Sequence, residues 1–199
     1  MTTRIGVIAL QGDVEEHVRA MERALAERRE EGAVVKIKHQ GMVNACDAVI
    51  IPGGESTTIG RLMARENMMS EIKVAAEDDE VPILGTCAGL VLLAKEGDEE
   101  VAKTGQPLLG LMDVKVKRNA FGRQRESFEV LLKMSIFDAL FPAVFIRAPA
   151  IIRAAEHVDV LATLNGHVVA AKQGNIIALS FHPELTGDRS IHHFFLDLL

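Results

Sequence analysis

Short apolar runs alternate with helix-like segments in the first half of the sequence, and this alternation limits the possible folds more than any other feature. Buried strands are predicted at four apolar runs, residues 4–10, 34–38, 48–51 and 83–85. Helices are predicted at residues 13–29, in a segment capped by Ser56, Thr57 or Thr58, and at residues 88–95. Such an alternation of strands and helices predicts an α/β fold with a doubly wound, mostly parallel sheet and helices on both faces.

The second half of the sequence has a different pattern, because apolar and polar residues alternate there with a period of two. The segments LMDVKVKRN and SFEVLLKM show this period, which is typical of half-buried antiparallel strands. We therefore expect antiparallel strands added to the same sheet, a returning strand at residues 175–182 and a last helix at residues 190–199. We expect a single domain over residues 1–199 and interpret residues 97–107 as a mobile loop.

Composition and charge exclude several classes of function. The 199-residue chain has a formal net charge of −6 and contains neither Trp nor Tyr. It therefore lacks the positive charge and the stacking groups that favour nucleic-acid binding. No apolar stretch has the length of a membrane span, and the two cysteines, Cys46 and Cys87, lack the spacing of a zinc site. We expect a cytoplasmic protein that binds no nucleic acid, membrane or metal.

The sequence Gly85-Thr86-Cys87-Ala88-Gly89 joins a predicted strand to a predicted helix. A nucleophile at such a turn needs small flanking residues, because the backbone there is strained and closely packed. The N-terminus of the helix also stabilises a thiolate and offers free backbone N–H groups to an oxyanion. Cys87 is therefore a candidate nucleophile, although the five residues alone fit a buried structural cysteine equally well.

A histidine two residues before a glutamate supplies a candidate base. His182 and Glu184 follow a predicted strand, and Pro183 keeps the segment out of a helix, so that both side chains project to one side. The carboxylate can then orient the imidazole and complete a Cys-His-Glu triad, although such a pair alone is also typical of a solvated surface. The other histidines have no such arrangement and are interpreted as solvated or core-edge residues: His17, His39, His157, His167, His192 and His193.

Two glycines, Gly53 and Gly54, directly follow another apolar strand. They allow the backbone to approach a ligand closely, which suits an oxyanion hole beside the cysteine. A phosphate-binding loop is the rival interpretation, but the segment lacks the Gly-Lys-Ser/Thr ending of that motif. Ser56 is a weak candidate nucleophile because Thr58 stands where an elbow needs its second glycine, and we interpret Ser56 partly as a helix cap.

These motifs, together with Leu10-Gln11-Gly12, all follow predicted strands. Open α/β sheets bind ligands at the carboxyl ends of their strands. We therefore expect the motifs to meet at one edge of the sheet and to form one site.

The chain resembles the class-I, triad-type glutamine amidotransferases, and among them the glutaminase subunits of pyridoxal 5′-phosphate synthase. The resemblance covers nearly the whole chain and rests on the motifs ALQGD, IPGGESTTIGRL, GTCAGLVLLAKE, RNAFGRQRESFE, FIRAP, AAKQG and SFHPELTGD. The first half of RNAFGRQRESFE and the IRAP element are specific to this group, whereas the cysteine motif is common to all the relatives.

The resemblance implies that Cys87 is the nucleophile, His182 the general acid and base, and Glu184 its orienting partner. It implies that backbone N–H groups of Gly54 and Ala88 form the oxyanion hole, and that glutamine is held by Gly54, Glu55, Ser56, Arg118, Ile146 and Arg147. The implied reaction is hydrolysis of L-glutamine to L-glutamate and ammonia through a glutamyl thioester, with no cofactor. The ammonia would pass to a partner synthase subunit, which combines it with a pentose phosphate and a triose phosphate.

Two other interpretations remain open at this point. The chain could be another triad amidotransferase or a γ-glutamyl hydrolase, against which RNAFGRQ and FIRAP argue. It could also be a non-catalytic binding module on the same scaffold, a class that usually lacks one residue of the triad.

Overall fold

The computed structural model describes residues 2–78, 80–122 and 127–199, so residues 123–126 of the motif RNAFGRQRESFE lie outside the described residues. The strands are β1 (Thr3–Ile8), β2 (Gly32–Ile37), β3 (Ala48–Ile51), β4 (Ile83–Thr86), β5 (Ala94–Glu96), β6 (Met112–Lys117), β7 (Ser127–Leu132), β8 (Phe141–Ile146), β9 (Ala150–Ala154), β10 (Asp159–Leu164), β11 (His167–Gln173) and β12 (Ile176–Leu179). The helices are α1 (Val14–Arg28), α2 (Ser56–Arg65), α3 (Met68–Glu77), α4 (Ala88–Leu93), α5 (Glu99–Thr104) and α6 (Ser190–Leu196).

The main sheet has the strand order β2-β1-β3-β4-β12-β11-β9-β6-β5, and β10 pairs with β11 outside this path. The strands from β2 to β12 in this order are parallel to their neighbours. Beyond β12, the pairs of β11 with β12, β9 with β11, and β6 with β9 are antiparallel. The predicted parallel, doubly wound sheet with antiparallel additions is confirmed.

Apolar residues on the two faces of the sheet form two separate layers of core. In β3, Val49 and Ile51 pack in the layer that contains α2, α3 and α4. Ala48 and Ile50, which alternate with them, pack in the layer that contains α1 and α6. A central parallel strand must be apolar on both faces, which explains the continuous apolar run in this segment.

A small antiparallel sheet of β7 and β8 lies beside the main sheet. Its position is fixed at the end of β12, where the His182 N–H donates to the Val144 carbonyl oxygen at 2.8 Å. This bond brings the residues that follow β8 to the carboxyl ends of the parallel strands.

Several local predictions are wrong. Residues 97–107 contain helix α5 instead of forming a mobile loop, because the Asp98 carboxylate caps it by accepting from the Glu100 and Val101 N–H groups, each at 3.1 Å. The helix predicted at residues 88–95 ends at Leu93, where the chain continues as β5, and α3 has no counterpart in the sequence analysis. Within the described ranges, no helix has the length and apolar character needed to span a membrane.

Candidate active site

A cavity of about 470 Å³, here called the site cavity, lies at the carboxyl ends of the parallel strands. Its wall comes from the segments that follow β1, β3, β4, β6, β8 and β12. It includes all the sequence-predicted site residues except Glu184, namely Gly54, Glu55, Ser56, Cys87, Ala88, Arg118, Ile146, Arg147 and His182. Glu184 is fully buried behind His182.

Cys87 lies on a sharp turn between β4 and α4. Its φ of 49° and ψ of −98° place it in a backbone region that non-glycine residues rarely adopt, and its N–H donates to the Leu179 carbonyl oxygen at 2.8 Å. A Cβ atom at Gly85 would lie 2.4 Å from Leu93 Cδ1, and one at Gly89 would lie 2.3 Å from the Ile51 carbonyl oxygen. Both flanking glycines are therefore required by close packing.

The imidazole of His182 is held by two carboxylates. Its Nδ1 lies 2.7 Å from Glu184 Oε1 and 3.3 Å from Asp13 Oδ2. Burial alone would lower the pKa of His182, but the interactions of its imidazole with Asp13, Glu184 and the nearby Cys87 outweigh it and raise this pKa. Nδ1 contacts the two carboxylates, whereas Nε2 is buried without a hydrogen-bond partner among the described residues. Nε2 is therefore the atom available to Cys87.

The loop after β3 approaches the imidazole too closely for any side chain. A Cβ atom at Gly53 would lie 2.4 Å from His182 Cε1. The Gly53 carbonyl oxygen accepts from the Asp13 N–H at 3.1 Å. Because the C=O and N–H groups of a trans peptide point in opposite directions, the N–H of Gly54 points away from the Asp13 N–H. Gln11 fixes the next peptide, because its Oε1 accepts from the Glu55 N–H at 2.9 Å.

The side chain of Glu55 is the cap of helix α2, which corrects the interpretation of Ser56 as a cap. The Glu55 carboxylate accepts from the Thr57 N–H at 3.0 Å and from the Thr58 N–H at 2.7 Å. The Ser56 hydroxyl instead donates to Gln106 Oε1 at 3.1 Å. The Glu55 carboxylate is therefore occupied by capping, and only the backbone groups of Glu55 remain available to a ligand.

Two arginines, Arg118 and Arg147, line the site cavity. The Arg118 guanidinium donates from Nη1 to Thr57 Oγ1 at 3.1 Å and from Nη2 to Glu100 Oε2 at 3.3 Å, whereas its buried Nε has no partner among the residues that the structure describes. Arg147 follows β8 with a φ of 42°, and the preceding Ile146 carbonyl oxygen lies 3.8 Å from Cys87 Sγ.

The interpretation of His17 and His192 as solvated or core-edge residues is wrong, because both are fully buried. His17 Nε2 lies 2.9 Å from Thr86 Oγ1 and 3.4 Å from Glu184 Oε1. The sequence carried a signal for this, since His17 is four residues before the buried Met21 and falls on the apolar face of α1. Sequence analysis also missed the contact of Asp13 with His182.

Asp13, His182 and Glu184 place three ligand-type atoms within 4.8 Å of one another. The closest two of these atoms, His182 Nδ1 and Glu184 Oε1, share a hydrogen bond of 2.7 Å. These side chains therefore form a hydrogen-bonded cluster.

The fold and the site together define a class. A doubly wound parallel sheet with a cysteine on a strand-to-helix turn, beside a buried His–Glu pair from a neighbouring strand, is the arrangement of a triad-type amidotransferase. The model of the SNO glutamine amidotransferase family matches residues 7–199, and the chain belongs to this family. The family resemblance derived from the motifs is thereby confirmed.

Curated relatives and solved structures agree with this assignment. The "Pyridoxal 5′-phosphate synthase subunit PdxT" of Methanococcoides burtonii is 60% identical over 196 residues, which are 98% of each chain. A protein of the same name from Archaeoglobus fulgidus is 54% identical over 195 residues, again 98% of each chain. A crystal structure of a glutamine amidotransferase has a TM-score of 0.86 at 43% identity and covers 98% of this chain and 97% of its own. A glutamine amidotransferase from Thermotoga maritima, with a TM-score of 0.63 at 14% identity over 96% of this chain and 80% of its own, shares the fold.

Proposed function

We propose that this chain hydrolyses L-glutamine to L-glutamate and ammonia, and that it is the glutaminase subunit of a pyridoxal 5′-phosphate synthase. The observation that carries the proposal is the strained turn that presents Cys87 to the site cavity beside the buried His182–Glu184 pair. Family membership and the names of the relatives support the same activity and the destination of the ammonia. We also propose that the chain acts in the cytoplasm and needs no cofactor, nucleic acid or membrane.

Glutamine binding would use the arginine side chains and the backbone groups that line the site cavity. The guanidinium groups of Arg118 and Arg147 pair with the α-carboxylate, and the buried Arg118 Nε–H, which lacks a partner among the described residues, is one donor for it. Backbone carbonyl groups near Gly54 to Ser56 and at Ile146 accept from the α-ammonium group, because the Glu55 carboxylate already caps α2. The side-chain amide then reaches Cys87.

The first half of the reaction forms the thioester. The Cys87 thiolate, stabilised by the protonated His182, attacks the amide carbon, and the π electrons move to the amide oxygen. The N–H groups of Gly54 and Ala88 stabilise that oxyanion, the latter being the first residue of α4 and so without an acceptor inside its own helix. When the carbon–nitrogen bond breaks, the proton of His182 Nε2 passes to the leaving nitrogen, and ammonia departs.

The second half of the reaction regenerates the enzyme. Water attacks the thioester carbon while His182 Nε2 accepts its proton, and the carbon–sulfur bond then breaks to release glutamate and the thiolate. Glu184 accepts the hydrogen bond from Nδ1 throughout and keeps the imidazole oriented. Free ammonia would be protonated in neutral water and lose its nucleophilicity, so the reaction is useful only when a synthase subunit receives the ammonia directly.

We expect the isolated chain to be nearly idle and the partner-bound chain to be faster by about 10²–10³, the effect of one oxyanion donor. The reason is the Gly53–Gly54 peptide, which can rotate about its flanking single bonds because both residues are glycines, and whose carbonyl oxygen accepts one hydrogen bond among the described residues, from the Asp13 N–H. The measurement compares glutamate release by the chain alone and by the chain saturated with a co-expressed synthase subunit, at the same glutamine concentration.

The control for this comparison is the Cys87→Ala chain with the same partner, which corrects for contaminating glutaminases. Equal rates with and without the partner would contradict activation while leaving the glutaminase assignment in place. No glutamate release above the control in either state would contradict the proposed function itself.

A further inference from the structure

His17 is a buried histidine that the proposed reaction does not use. It lies on the first turn of α1 and is fully inaccessible to solvent. Its Nε2 faces two groups, Thr86 Oγ1 at 2.9 Å and Glu184 Oε1 at 3.4 Å, whereas Nδ1 has no hydrogen-bond partner among the described residues. The first group adjoins the candidate nucleophile, since Thr86 directly precedes Cys87. The second adjoins the candidate base, since Glu184 Oε1 is hydrogen-bonded to His182.

The surroundings of His17 determine which ring nitrogen carries the proton. Burial lowers the pKa of His17, so the ring is neutral and has a single N–H. An unprotonated Nε2 would direct its lone pair at the carboxylate of Glu184, which is repulsive. The proton therefore lies on Nε2, where the N–H donates to the Thr86 hydroxyl oxygen at 2.9 Å and faces Glu184 Oε1 at 3.4 Å.

The Glu184 carboxylate has few other groups to hold it. Its Oε1 bonds His182 Nδ1 at 2.7 Å, and its buried Oε2 has no hydrogen-bond partner among the residues that the structure describes. A buried carboxylate with so few donors can rotate away from the imidazole unless a neighbour fixes it. His17 is the described neighbour that approaches the same oxygen from the other side.

Resting on the proposed function, we propose that His17 is a positioning residue, whose Nε2–H holds Glu184 Oε1 against His182 Nδ1 and ties it to Thr86. His17 touches neither substrate nor sulfur and acts through Glu184. The contacts form a chain from Thr86, next to the nucleophile, through His17 and Glu184 to His182. The first turn of α1 thereby fixes the relative position of the two reacting side chains.

The test compares three substitutions that differ in where they place a donor. The amide nitrogen of His17→Gln reaches the position of Nε2, that of His17→Asn reaches only the position of Nδ1, and His17→Leu has none. In the partner-bound enzyme we expect His17→Leu and His17→Asn to lower kcat about 10- to 100-fold with little change in KM, as for one lost hydrogen bond to a charged group. We expect His17→Gln to keep most of the turnover.

A double-mutant cycle separates positioning from packing. If His17 acts through Glu184, His17→Leu in a Glu184→Gln background should lower kcat less than about twofold, because the carboxylate it holds is already absent. His192→Leu is the matched control, since His192 is also fully buried but its ring nitrogens make no hydrogen bond among the described residues. Its kcat should equal that of the unmodified chain. Undiminished turnover in His17→Leu, or an equal loss in both backgrounds, would overturn the proposal.

A spectroscopic measurement does not depend on turnover and so separates this proposal from the proposed function. The downfield proton resonance of His182 Nδ1–H reports its bond to Glu184. We expect His17→Leu to shift or broaden it, and His192→Leu and His17→Gln to leave it in place. An unshifted resonance in His17→Leu would contradict the positioning role even if glutaminase activity is absent.

Discussion

Cys87→Ala is expected to abolish glutamate release by the partner-bound enzyme, with a loss of about 10⁴ or more in kcat. The substitution removes the atom that forms the thioester, and no other described thiol reaches the site cavity. The turn itself should survive, because its shape depends on the packing of Gly85 and Gly89. The measurement is glutamate released per enzyme at saturating glutamine, with thermal unfolding to confirm the fold.

Cys46→Ala is the matched control for this substitution. Cys46 is also buried, but its Sγ donates to the Met42 carbonyl oxygen at 3.3 Å and lies outside the site cavity. Its loss should leave turnover unchanged in folded enzyme. Substantial glutamate release by Cys87→Ala, or its loss in Cys46→Ala, would contradict the assignment of the nucleophile.

Glu184→Gln is expected to lower kcat by about 10² to 10⁴ while the protein still folds and binds glutamine. The neutral amide cannot stabilise the imidazolium of His182, and its NH₂ group can donate to Nδ1 and favour the wrong tautomer. Glutamate release at saturating glutamine measures the effect.

Asp13→Asn is the comparison variant for Glu184→Gln, because Asp13 is the second carboxylate near Nδ1. It lies farther away, at 3.3 Å, and its side chain is 38% exposed, so its charge is screened by water. We expect Asp13→Asn to cost less than about tenfold in kcat. Near-normal turnover in Glu184→Gln together with a large loss in Asp13→Asn would mean that Asp13 orients the histidine.

The features that the sequence predicted well are local. Apolar runs that end in glycine predict strands and turns without knowledge of the rest of the chain, and the carboxyl ends of parallel strands must share an edge. These two facts are enough to place Cys87, His182 and the Gly53–Gly54 loop together. The family could be predicted from the motifs at the same edge. The single domain over residues 1–199 stays a prediction.

The features that the sequence did not predict depend on partners far along the chain. Helix α5 is short, and its capping residue Asp98 also accepts from the Arg118 N–H at 2.7 Å, a contact across 20 positions. His17 meets Glu184 only because α1 packs against the turn after β12. The capping role of Glu55 was missed because the neighbouring Ser56, Thr57 and Thr58 are of the residue types that cap helices most often, whereas glutamate is not.

The central claim is that Cys87 is the nucleophile of a glutaminase, and a glutamine analogue that carries an electrophile tests it most directly. The partner-bound enzyme is treated with the analogue, digested, and the modified peptide is identified by mass spectrometry. We predict that Cys87 is labelled, that Cys46 is spared, and that loss of glutamate release follows the extent of labelling. Labelling of Cys46 before Cys87 would contradict the account. So would inhibition of an active complex by the analogue with neither cysteine labelled.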